Sequence, residues 1–243
     1  MPARGKFIVL EGIDGSGKRT QLEMLVRAFA ERGISCKQIS FPRYDGFFGK
    51  LVARFLNGEF GELDAVDAHF SSLLYAGDRL EAKPEIEADL AAGRTVLCDR
   101  YIGSNLAHQS AMVPRGKRKE FLRWLMQLEY KIYALPVEDL VIYLRVPAAE
   151  AQRLVGEKGT RKYTKLRRDI LEANLAHLKT ASGVYEELAR QANWAKVECA
   201  EVGKRAVSSR RTPLRTPKQI HGDILAVIDK RLFQSSLATG QAK

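Results

Sequence analysis

Apolar positions follow two alternating rhythms along this chain. Short, nearly unbroken runs at residues 6–11 (KFIVLE), 35–41, 95–98 (TVLC) and 140–146 (LVIYLRV), with a weaker one at 194–199, have the length and composition of strands. Between them the spacing changes to that of helices. Leu22, Leu25, Val26 and Phe29 share one face and stop at Gly33, and residues 65–92 read as helical, broken near Pro84 and ended by Gly93. Phe121, Trp124, Leu125, Leu128 and Ile132 form another face before Pro136, and Pro147 is placed to open the next helix. Leu171, Leu175, Leu178, Tyr185 and Leu188 mark a further helix, and Ile220, Ile224, Val227, Ile228 and Leu232 the last.

Strands alternating with helices imply right-handed crossovers and a parallel sheet covered on both faces. Ligands of such a sheet collect at the carboxyl ends of its strands. Three polar segments follow strand ends here: a glycine-rich loop after residue 11, residues 41–44, and residues 99–101. The expected organisation is one domain over 1–233 and a frayed tail at 234–243. Residues 156–168 (GEKGTRKYTKLRR) lack apolar periodicity and suggest a basic lid at about 153–169; the Ser/Arg/Pro-rich 203–217, with no apolar anchor, reads as an insertion loop.

Composition narrows the class without changing this picture. The 243 residues are 45% hydrophobic and 28% charged, an ordinary globular balance. No run reaches the roughly 18 apolar residues of a membrane span, and the N-terminus lacks the longer apolar region and cleavage site of a signal peptide. Cys36, Cys98 and Cys199 are too few and too far apart for a disulfide framework or a CxxC site; they read as buried, reduced thiols in a cytoplasmic protein. The net charge of +11 gathers at 115–119, 158–168 and 204–215, without the interleaved aromatics of a nucleic-acid stacking platform. Polyphosphate handling with solvated basic faces accounts for it better than nucleic acid or membrane binding.

The chemistry starts in the first loop. Gly12, Ile13, Asp14, Gly15, Ser16, Gly17 and Lys18 fit the first seven positions of G-x-x-x-x-G-K-[ST], between a buried strand and a helix. Glycines let backbone N–H groups turn onto phosphate oxygens, the helix adds its positive end, and Lys18 can reach the β- and γ-phosphates. The eighth position departs from the pattern: Arg19 replaces the Ser or Thr that binds Mg²⁺, and Thr20 follows. Asp14, Asp99 and Glu172 are the carboxylates able to hold Mg²⁺, directly or through water.

EGIDGSGKRTQ, FPRY, LLYAGDR, CDRYIGSNLAHQ and the DILE segment stand in an order that resembles the thymidylate kinase family over about residues 6–232. The resemblance implies an α/β, three-layer P-loop sandwich and transfer of the ATP γ-phosphate to dTMP, on the way to dTTP. It makes Arg100 the grip on the acceptor phosphate, as suits a planar fork, and Asp99 the acid that organises Mg²⁺. Tyr75 stacks on thymine, Arg79 bonds its O4, and Asn105 faces N3. Gln109 follows on the acceptor side, while His108 is read as structural. Phe41, Pro42, Arg43 and Tyr44 close over the acceptor, with Arg43 near its phosphate.

Some members carry an arginine inside the phosphate loop. This chain has Gly15 there and resembles the group whose catalytic arginines come from the lid, here Arg161 and Arg168 with Arg167 as a further candidate. Asp14 matches an acid that aligns the acceptor and its metal. Relatives are commonly homodimers through a helical face. Three other readings stay open: a broader deoxynucleotide or nucleoside kinase, a nucleic-acid-binding P-loop ATPase, and a regulatory nucleotide binder prompted by Arg19.

Overall fold

A computed structural model describes residues 3–157, 170–172, 174–201 and 212–233. Its centre is β1 (Phe7–Glu11), buried along its whole length, as a continuous apolar run requires of a strand covered on both faces. With β2 (Cys36–Ser40), β3 (Thr95–Asp99), β4 (Leu140–Arg145) and β5 (Trp194–Glu198) it forms a parallel sheet in the order β2-β3-β1-β4-β5. β2 alternates and stays largely exposed, as an edge strand can.

The helices are α1 (Lys18–Glu31), α2 (Phe47–Leu56), α3 (Ala68–Ala91), α4 (Ile102–Ala111), α5 (Arg118–Met126), α6 (Ala148–Glu157), α7 (Leu175–Leu188) and α8 (Pro217–Ile228). α5 runs on as a π-helical stretch, Gln127–Ile132, and α8 as another, Asp229–Phe233. α1 packs against α8, while α4 packs against both α3 and α7. The main core lies between these groups and the sheet. Val52, Phe55, Leu56, Val66, Leu74 and Leu171 make a smaller cluster beside it, formed by α2, α3 and the turn at 170–172.

Several elements depart from the expectation. α3 begins at Ala68, capped by Asp67, which accepts from the N–H groups of His69 and Phe70, and it passes through Pro84 unbroken. An interior proline costs about 3 kcal/mol. Burial of Ile86 and Leu90 beyond it returns about 1.5–3 kcal/mol each, and Leu80, whose carbonyl loses its partner, lies on an exposed side where water can replace the bond.

The DILE residues Ile170, Leu171 and Glu172 form a turn, and the helix starts at Leu175, behind an Asn174 cap that accepts from His177 N–H. α2 and α4 have no counterpart in the periodicity reading. Cys36 is half-buried on the edge strand; Cys98 and Cys199 are buried, and all three are free thiols. The end of the expected 203–217 loop is ordered into the fold. Leu214 bridges to Ala200 and packs on the main core, and Thr216 with Gln219 builds a capping box for α8.

Candidate active site

β1 and β3 are neighbours, with Leu10 opposite Asp99. The chain leaves β1 towards the β2 edge and later crosses from β3 to β4 on the other side. The reversal opens a crevice at the carboxyl ends of β1 and β3, where open α/β sheets bind ligands. The phosphate loop fills its β1 side. Gly17, at φ 88°, caps α1 without any side-chain hydrogen bond, so the first-turn N–H groups keep their capacity for an anion. Gly15, at φ 85°, lies so close to α6 that a Cβ there would stand 2.2 Å from the Ala151 carbonyl oxygen.

Lys18 is buried and folds over its own loop, donating from Nζ to the carbonyls of Gly12 (2.8 Å) and Ile13 (3.0 Å) and to Ser16 Oγ (3.4 Å). Burial and then the nearby Arg100 bring its pKa down to about 8. A desolvated ammonium in this position gains from a polyanion, whose attraction favours the charged form.

Arg100 holds the β3 side of the crevice. It takes φ 66°, rare for a non-glycine residue and frequent where function fixes the backbone. Its guanidinium donates to Asp14 Oδ1 (2.7 Å), Ser104 Oγ (2.9 Å) and the Gly12 carbonyl (3.2 Å). Burial works against its charge, but Asp14 outweighs it and raises the pKa. The acidic partner of Arg100 is therefore the acid of the phosphate loop.

Glu11, fully buried at the end of β1, supports this arrangement. It accepts from the N–H groups of Tyr101 (2.8 Å) and Ser104 (2.9 Å), from Ser104 Oγ (2.7 Å) and from Tyr185 Oη (2.9 Å).

Beside Arg100 and Asp14 a cavity runs between α3 and α4. Phe41, Pro42, Tyr44, Tyr75, Arg79, Asn105 and Gln109 line it, together with Leu56, Tyr101, Ser104, His108 and Leu171. Arg79 is buried. It raises Nε and Nη2 against the two oxygens of Glu129, at 2.6 Å each. Asn105 Nδ2 donates to Ser72 O (3.1 Å) and Glu129 Oε1 (2.7 Å), while its Oδ1 is buried with no hydrogen bond. Burial, then Arg100, push His108 well below the ordinary histidine pKa, so its ring is neutral where it stacks on His177.

Arg43 is placed otherwise than expected. Its backbone N–H (2.8 Å) and Nε (3.3 Å) donate to the buried carboxylate of Asp78, and its fork lies near Glu81 and Glu85, so α3 holds it outside the cavity lining. The Arg19 side chain is exposed and paired with Glu23 at 3.0 Å, and Thr20 is exposed too. Arg161, Arg167 and Arg168 lie outside the described residues.

Sequence reasoning missed Glu129, Glu11 and Ser104. Glu129 carried no signal, standing on a helix face far along the chain, whereas Glu11 and Ser104 lie inside the segments already singled out. Leu56 was missed with its helix, although Val52, Phe55 and Leu56 have helical spacing.

The residues present fit a hydrated Mg²⁺ rather than a directly caged one. Among the described residues no three His, Cys, Asp or Glu side chains cluster as a metal cage. Asp99 lies at the crevice with Oδ1 buried and unbonded, and burial raises its pKa against the pull of Lys18 and Arg100. Such an acid gains from a nearby cation. Glu172 is buried in the 170–172 turn, whose carbonyl accepts from Gln152.

Comparison with known proteins agrees with this geometry. Residues 10–210 match the family model described as Thymidylate kinase. A thymidylate kinase of Mycobacterium tuberculosis is 32% identical over 189 residues, 76% of this chain and 86% of that protein. A probable thymidylate kinase of Thermococcus onnurineus is 31% identical over 94% of this chain and 99% of its own length. The solved structure of thymidylate kinase from Candida albicans, 21% identical, superposes with a TM-score of 0.71 over 95% of this chain and 93% of that one, which shows a shared fold. With its phosphate loop, the Arg100 crossing and the cavity between α3 and α4, the chain belongs to the thymidylate kinase family.

Proposed function

We propose that the chain transfers the γ-phosphate of ATP to dTMP, giving dTDP and ADP. One observation carries the choice of acceptor. The cavity beside the phosphate loop is lined by cationic Arg100 and, at what we read as its base end, by an arginine and an asparagine whose buried oxygen has no hydrogen bond. That end suits a ring N–H next to a carbonyl, as thymine has at N3 and C4. Cytosine's amino group would instead set a donor against the arginine's donor.

In this reading Gly12, Ile13, Asp14, Gly15, Ser16, Gly17, Lys18 and the N–H groups of Arg19 and Thr20 hold the ATP phosphates. Tyr75 stacks on the base, and Arg79, Asn105 and Gln109 bond its edge. The acceptor phosphate is already an anionic nucleophile, so the protein's task is to bring two anions together and neutralise them. Arg100, fixed by Asp14 and Ser104, grips the acceptor phosphate, while Lys18 follows the transferring group. Arg161 and Arg168 are the lid candidates for sharing its charge. Asp99, with Asp14 and Glu172, would hold Mg²⁺ through water, and the ion when bound supplies neutralisation of the phosphate oxygens. The proposal includes a cytoplasmic location, supported by three free cysteines, and a homodimer formed through α3.

The test is ADP release and product identity with dTMP, dUMP, dCMP and thymidine, with and without Mg²⁺. Turnover with dTMP well above dCMP is the expected result. ATP binding without transfer to any monophosphate would overturn the reading.

A further inference from the structure

Glu129 does not line the cavity, yet it is fully buried and its two oxygens take three donors from Arg79 and Asn105, which do. An isolated asparagine can turn its amide either way, because nitrogen and oxygen are nearly equal in size. Here the Glu129 carboxylate and the Ser72 carbonyl both stand against Nδ2 of Asn105, and both accept only. The amide is held in one orientation, with its oxygen turned away from the Glu129 carboxylate. The same carboxylate occupies Nε and Nη2 of Arg79, leaving Nη1 as the donor that Glu129 does not engage.

Resting on the dTMP reading above, we propose that Glu129 is the positioning residue that sets the hydrogen-bond polarity of the base subsite. It fixes a donor at Arg79 beside an acceptor at Asn105, and so selects a pyrimidine whose ring presents a carbonyl next to an N–H. The π-helical stretch is what brings it there: Glu129 sits on Gln127–Ile132, and its carbonyl accepts from Leu135 N–H at 3.0 Å. π-turns recur where a helix must aim one side chain at a site.

The experiment measures Kd for dTMP and dCMP by titration calorimetry in the full chain and in Glu129→Gln and Glu129→Asp. Binding is used because it reads the lock whether or not the chain turns over; turnover of the unmodified chain, run in parallel, tests the kinase reading separately. A glutamine offers one acceptor and one donor, so it lets the Asn105 amide turn. The expected result for Glu129→Gln is a dTMP Kd raised about tenfold or more and a dTMP-over-dCMP preference reduced about as much, with ATP affinity unchanged. Glu129→Asp, which keeps an acceptor-only group, retains more of the preference than Gln does, and it carries the test should Gln fail to fold. A folded Gln variant with the original preference overturns the proposal. So does one that weakens dTMP and dCMP equally, since that is the mark of a merely structural role.

Discussion

The unusual side chains of this protein are buried ionisable groups, and they differ in what their burial is for. Lys18 is desolvated at a phosphate loop, where an anion compensates the cost of burying its charge. Replacing it with methionine keeps the bulk and removes the charge. We expect kcat to fall by about 10²–10³-fold or more with little change in melting temperature, as steady-state rates and a thermal melt would show.

Glu138 is buried far from any such partner, bonded to Tyr130 Oη, and burial brings its pKa up from 4.5 to about 7. Its folded form therefore holds a proton that the unfolded chain releases earlier. Stability falls as pH rises from about 4.5 to 7 and is level above that, a loss of about 3 kcal/mol. Glu138→Gln should match the unmodified chain near pH 4 and exceed it at pH 8; urea unfolding at both pH values checks the gap. Residues of this kind mark the limit of the sequence. Lys18, Asp14 and Arg100 were legible because a loop motif and strand ends place them, whereas Glu129 and Glu138 look like solvated helix and loop acids until the fold closes over them.

At the scale of elements, α2 decides the shape of the acceptor side. Its Gly49 passes so close to the 41–44 segment that a Cβ would lie 1.8 Å from the Arg43 carbonyl oxygen. That contact is backbone and cannot rotate away. Gly49→Ala should shift the segment carrying Phe41, Pro42 and Tyr44, raising the dTMP KM about tenfold while the ATP KM holds, at a stability cost of about 1–3 kcal/mol. A KM for dTMP that stays put would show that this segment does not shape the cavity.

The sheet and most helices were legible because burial on one or two faces imposes a period. α2 escaped because its ten residues begin amid aromatics and glycine, where the period is short and blurred. The unbroken α3 escaped because propensity at Pro84 is local, while the burial that overrides it belongs to the tertiary structure.

For the molecule as a whole, the apolar surface left on α3 bears on assembly. Phe70, Leu73 and Leu80 lie on one stripe of that helix and are 43%, 40% and 39% exposed. If two copies meet there, sedimentation should give twice the chain mass of 27.2 kDa, and Leu73→Glu should return the monomer with its cavity intact. A monomer at micromolar concentration for the unmodified chain would send the stripe's explanation elsewhere. A parallel sheet with three polar segments at its carboxyl edge was readable in advance from the alternation of strands and helices, while the order of the strands was not. Which helix face remains uncovered was not readable either, because it depends on what α2 and α4 bury.

The contact between Gly15 and α6 also has a historical side. A glycine at that loop position and a side chain there are two alternative arrangements, and a single codon change could turn one into the other. In this lineage such a change would drive a side chain into the Ala151 carbonyl and disturb the loop it was meant to improve. The two arrangements are thus separated by a valley rather than a step: α6 must move away first, with no catalytic advantage until it has. A chain that packs its loop this tightly has closed one evolutionary route to a charge at that position.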